Sequence, residues 1–150
     1  MSSSEWANDQ TLFASLTGGQ AVIDWFGFCP RFHDASLERL EVVNGNVLLA
    51  IHAFRMTDEL DQHRRFICDR HAIVTLKMIG VSGIRLHGSA VSIIFDLKIR
   101  RLPADEAASN WETCAAPVKG DIELTFDTSM GLYGEIYTKE LEFELQPMPE

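Results

Sequence analysis

Two short segments near the N-terminus carry apolar residues at helical spacing, and the rest of the chain alternates with a period near two. Residues 10–16 form the first helical segment and stop at Gly18-Gly19, a natural C-terminal breaker. Residues 20–26 form the second, with Val22, Ile23, Trp25 and Phe26 apolar. It ends at Gly27, and Pro30 blocks any simple continuation. Strands are then predicted over 37–42 and 46–54 on either side of Asn44-Gly45, a pair whose tolerance of positive φ marks a hairpin turn. The polar stretch 56–65 reads as a long loop. Further strands are expected over 72–81, a turn at Ser82-Gly83, then 84–87. In 91–100 every odd position is apolar, which predicts one buried and one wet face. Pro103 ends it. Residues 104–109 read as a loop or a helical turn and 111–118 as a strand. Residues 121–127 alternate cleanly, Ser129-Met130-Gly131 turns the chain, and strands over 132–137 and 140–145 follow.

This pattern amounts to eight or nine short antiparallel strands with little helix. The expected fold is mostly β, with α+β at the margin: a curved sheet, a sandwich or an open barrel behind one or two short N-terminal helices. Trp25, Phe26, Phe95, Phe126 and Phe143 are the expected aromatic core. No Gly-, Pro- or Ser-rich linker divides the 150 residues, so one domain spans 1–150, with 1–10 loosely ordered. A chain of this length buries about 70% of its unfolded surface and needs no metal or disulfide to hold a core.

Composition narrows the chemistry. The chain is 46% hydrophobic and 23% charged, near the globular average. The formal net charge is −9, and −7 of it falls in residues 120–150. An acidic field repels phosphate backbones and anionic lipid, so nucleic acid and membrane surfaces are not expected partners; cationic proteins are attracted. Acidity also serves solubility alone. Cys29, Cys68 and Cys114 are odd in number and form no C-x-x-C, so neither a disulfide framework nor a zinc ribbon is expected. The N-terminus has no basic and apolar signal pattern, and no apolar run reaches the roughly 20 residues that span a bilayer. The cytosol is the expected compartment.

Three features are candidates for function. The densest is Trp25-Phe26-Gly27-Phe28-Cys29-Pro30-Arg31-Phe32-His33-Asp34-Ala35, where His33 and Asp34 have the chemistry of a general-base pair or of metal ligands. The competing reading is structural: Asp34 caps local backbone and His33 hydrogen-bonds to hold the turn. His52 and His87 fall in predicted strands that could bring them to His33, but no H-x-H or H-E-x-x-H spacing occurs. Cys29 is either a reactive thiol or a packing thiol. Nucleophile-elbow and P-loop motifs are absent, and no catalytic, cofactor or metal residue is assigned. The third feature is a row of acids. Glu140, Glu142 and Glu144 share one face of a strand, and Glu123 and Asp127 share a face of another; side by side they would form a five-carboxylate surface for a cationic partner, or blunt a sheet edge.

Trp25-Phe26-Gly27, Pro30 and Phe32-His33-Asp34-Ala35 resemble the opening signature of the immunity protein 50 family. These are bacterial proteins thought to be encoded beside the toxins of polymorphic contact-dependent systems. Gly80-Val81-Ser82-Gly83-Ile84, Asp96-Leu97-Lys98-Ile99 and Gly131-Leu132-Tyr133-Gly134 are similar to the family's later strand-and-turn pattern. The resemblance spans about residues 22–145 and leaves out 1–20 and 56–65. It implies a protein that neutralises a cognate toxin by binding it, without catalysis or cofactor. The acidic charge adds the expectation of a cationic toxin such as a nuclease. Two other expectations stand beside it: a small-molecule-binding β module with an apolar pocket against Trp25 and Phe26, and a metal-dependent or acid–base enzyme built on His33 and Asp34.

Overall fold

A computed structural model describes residues 8–103 and 116–149. Two helices, α1 (Gln10–Ser15) and α2 (Gly19–Phe26), precede six strands: β1 (Ser36–Val43), β2 (Asn46–Leu60), β3 (Phe66–His87), β4 (Ile93–Arg101), β5 (Ile122–Met130) and β6 (Tyr133–Pro147). The fold is mostly β with two short N-terminal helices, as the hydrophobic pattern implied. All strand pairs are antiparallel, in the order β1-β2-β3-β6-β5-β4, and the sheet curls until β4 meets β1 again. That last seam has a single register pair, Ser36 with Ile93.

Local chemistry sets the helix bounds. Asp9 caps α1, its side chain accepting from the Leu12 N–H at 3.1 Å. Gly18 turns the chain at φ 79°, and a Cβ there would strike the Phe143 carbonyl. This close approach lets Thr17 pair along β6, where the Phe143 N–H donates to the Thr17 carbonyl at 2.7 Å. The helices thus cover the half of β6 that β5 does not reach, since β5 pairs with β6 only from Phe126–Gly134 to Ile122–Thr138. Phe13 stacks on Phe143 at 4.4 Å there. Asn44 and Gly45, at φ 44° and 84°, make the expected tight turn between β1 and β2.

The strands are fewer and longer than the sequence pattern suggests. Ser82-Gly83 is a register shift inside one continuous β3, not a turn. An extra residue there bends the strand and helps the sheet to curl. The two C-terminal segments are likewise one strand, β6. Half of 56–65 is β-arm: β2 runs to Leu60 and 61–65 turn, with Asp61 accepting from the His63 and Arg65 N–H groups. The arm extends past the core, where both faces are wet, so no apolar alternation marks it. Irregular pairing between Ile93 and Asp96 breaks the alternation at the start of β4. Ile94 is therefore buried and Phe95 50% exposed, while Leu97 and Ile99 keep the expected inward face. Of the expected aromatic core, Phe26, Phe126 and Phe143 are buried, Trp25 is half-buried and Phe95 is outside. The expected strand at 111–118 and the loop before it lie largely outside the described residues, as does Cys114. Of the segment expected to be loosely ordered, Asn8 and Asp9 are tied into the fold.

Candidate functional site

The segment from Gly27 to Ala35 is the tie that closes the sheet. Gly27 ends α2 in the left-handed conformation. The Asn8 N–H donates to the Cys29 carbonyl, and its side-chain amide donates to the carbonyls of Pro30 and Leu97, both at 2.8 Å. Leu97 N–H donates to Arg31, Asp34 N–H donates to Ile94, and Ile94 N–H donates to Ala35. Residues 31–35 therefore run hydrogen-bonded beside β4 and lengthen the thin β1–β4 seam. Phe32, at φ 59°, is buried against Phe13 and Phe26. His33 Nδ1 lies 2.8 Å from the Phe95 carbonyl, so Nδ1 carries the proton and donates. Its Nε2 is 3.5 Å from Asp34 Oδ2. Asp34 is exposed and stands at φ 66°, with its backbone, not its carboxylate, bonded to β4. Cys29 is 2% exposed and burial pushes its thiol up to about 11, which makes it a packing thiol.

The histidines do not gather at His33. His52 Nε2 meets His71 Nδ1 at 3.0 Å beside Phe54, and His87 lies against Tyr133. Among the described residues, no group of three or more His, Cys, Asp or Glu is placed to hold a metal ion.

The β2–β3 arm lies beside this segment and is fastened to α2, just before it. Trp25 Nε1 donates to the Arg70 carbonyl at 2.8 Å, and the Arg70 guanidinium sits 4.8 Å from the Trp25 ring centre. Arg55 grips Asp69 across the arm with two hydrogen bonds of 2.9 and 2.7 Å, and holds its carboxyl below the usual range. Between arm and segment lies a cleft of about 420 Å³. Phe26, Phe28, Pro30 and Phe32 line one side; Phe54, Met56 and Phe66 line the other. Arg31, His33, Thr57 and Asp58 supply its polar groups. Phe54, Met56 and Phe66 escaped the sequence reading because they come from the distant arm. The available signal was two large apolar side chains, Met56 and Phe66, at the ends of an otherwise polar stretch.

The five late carboxylates do not form one surface. Glu140, Glu142 and Glu144 alternate with buried Leu141 and Phe143 on the outer face of β6. Their register partners on β3 are Ile79, Lys77 and Thr75, and Lys77 Nζ lies 2.8 Å from Glu144. Glu123 is 8% exposed and bound by Arg100 at 2.7 Å, opposite Tyr137. Burial and the Glu123 carboxylate together raise the Tyr137 phenol. Asp127 faces Asp96 across β4 and β5, past the last β5–β6 pair. The near-clean alternation of both segments conceals this, because β5 and β6 overlap over only a few residues.

What the outer face of β6 does share is a continuous row across the sheet: Glu142, Lys77, Leu48 and Glu41 are successive register partners. A parallel row runs Glu144, Thr75, Ala50, Arg39, and Ile79 faces Glu140 beside it. The result is an outer face with Leu48, Ala50, Thr75, Lys77 and Ile79 in the middle, Glu41 on one flank and three glutamates on the other. Its two cations are held by its own acids, Arg39 by Glu41 at 2.6 Å and Lys77 by Glu144.

No family model, curated protein or solved structure matches the chain. No described helix is long and apolar enough to cross a membrane.

Proposed function

We propose that this chain is a cytosolic immunity-type protein that neutralises a cognate bacterial toxin by binding it, with the outer face of β1-β2-β3-β6 as its docking surface. One observation carries the reading: that face combines an apolar centre at Leu48, Ala50 and Ile79 with Glu140, Glu142 and Glu144 along one flank. A desolvated centre with a charged rim is the anatomy of a protein-binding face. The acidic rim favours a cationic partner, such as a nuclease, and accelerates its approach. The similarity of Trp25 through Ala35 to the immunity signature supports the same function, while those residues hold the sheet closed. Glu123 and Asp127 are not part of the docking face; the first is held by Arg100 and the second lies at the other end of the sheet.

The test is a titration of the purified chain against the toxin-like protein encoded beside its gene. A complex that weakens with added salt is expected, and the triple variant E140K/E142K/E144K should weaken it about tenfold or more. Absence of any complex with such a neighbour would remove the function. A complex indifferent to the triple variant would remove the surface.

A further inference from the structure

We infer that the cleft between the β2–β3 arm and the Gly27–Ala35 segment is a second binding site, for a small, planar, uncharged molecule. The inference stands apart from the docking face and does not depend on it. The cleft's volume of about 420 Å³ falls within the roughly 300–1,000 Å³ typical of small-molecule sites. Its floor is made by Phe26 and Phe32, which are 1% and 4% exposed and meet edge to face at 85°. Phe28, Phe54 and Phe66, less buried than these two, bring aromatic surface to the cleft itself, which suits a flat π-system. At the mouth, Met56 and Phe66 are 47% and 54% exposed, although both are large and apolar. Two such side chains held at the lip of an aromatic cleft are the signature of a surface that is covered when occupied.

Charge decides the class of ligand. Arg31 of the lining lies 3.5 Å from Asp96, so its charge already faces a carboxylate. Asp58 adds a negative charge at the rim, and the whole chain carries −9. An anion approaching the cleft meets Asp58 and the chain's negative field and must shed its hydration against apolar walls; a neutral molecule meets neither penalty. The bond from Trp25 to Arg70 ties the arm to α2, and the Arg55–Asp69 pair holds the arm's two strands together, so the arm's wall is in place before any ligand arrives. A preformed site avoids the ordering cost of binding.

Fluorescence titration of the full chain with neutral N-phenylnaphthylamine tests this, with its anionic analogue anilinonaphthalene sulfonate as the second arm. The neutral probe should bind saturably, one per chain, and the sulfonate more weakly. Phe66→Ser, at the exposed lip, should weaken the neutral probe about tenfold, by removal of one aromatic wall. Phe54→Ala should do the same, and Val91→Ser, at a 70% exposed position outside the cleft and outside the outer sheet face, should change nothing. Non-saturable binding, a sulfonate that binds equally or more tightly, or a Phe66→Ser variant that binds as the parent does would each overturn the site. If Phe54→Ala fails to fold, Phe66→Ser decides alone, because its side chain already lies half in solvent.

Discussion

Just before and within β5, Asp121 and Glu123 are 3% and 8% exposed; along the far half of β6, Glu140 and Glu144 stand in solvent. Both stretches are acidic and alternate with apolar residues. Asp121 accepts from Lys139 Nζ at 2.7 Å, the Ser82 hydroxyl at 2.8 Å and the Val118 N–H at 3.1 Å. Burial alone would raise its pKa, but those three donors together hold it below the ordinary value. Glu123 is gripped by Arg100. The β6 glutamates lie where β5 has ended, opposite β3, with only Lys77 among their register partners to offer a charge. The difference teaches that a carboxylate belongs to the fold or to the surface according to which strand runs beside it.

Removing carboxylates one at a time should separate the two groups. Asp121→Ala, the largest effect, should cost about 3 kcal/mol in chemical denaturation, since it removes at once the hydrogen bonds from Lys139, Ser82 and Val118 to a buried carboxylate. Glu123→Ala should cost about 2 kcal/mol, because the Arg100 it abandons is partly exposed and regains water. Asp34 should fall lower, and for a different reason. Asp34→Ala should cost about 1 kcal/mol, because φ 66° strains a residue with a Cβ, whereas Asp34→Gly should be close to neutral. The triple variant E140Q/E142Q/E144Q should move stability by less than about 0.5 kcal/mol per site while weakening partner binding. A β6 variant as costly as Asp121→Ala would erase the contrast.

Acid titration sharpens the same comparison. The folded Asp121 carboxyl titrates below its unfolded value of about 3.9, so its contribution is complete above that value and is lost as pH falls through the folded one. Asp69, lowered by Arg55, behaves the same way, with a smaller share because it is a third exposed. Asp121→Asn should therefore flatten the loss of stability below about pH 4. An acid limb as steep as the parent's would show that Asp121 is not the group that titrates.

Much of the fold was legible along the chain. Gly18, Gly27 and Asn44-Gly45 marked the helix ends and the first hairpin, and each does so because positive φ is a local property of a residue. The clean alternation in β5 and the far part of β6 marked strands for the same local reason. Ser82-Gly83 misled because glycine in a strand signals a turn and a bulge equally. Phe95 misled because irregular pairing with β5 shifted β4, and a one-residue slip exchanges the two faces of a strand. In the candidate sites, Trp25 through Asp34 stood out as a dense cluster, and their dependence on β4 did not.

Helices, turns and strand character follow from each residue's own backbone preferences and from the spacing of apolar side chains, which a linear pattern carries. Which strands neighbour one another, where β5 stops short of β6, and that a polar-looking arm would fold back to wall off a cleft with Phe54, Met56 and Phe66 were decided only on closure of the sheet. Pairing between distant strands is settled by the packing of the whole core, and no short stretch of chain contains that information.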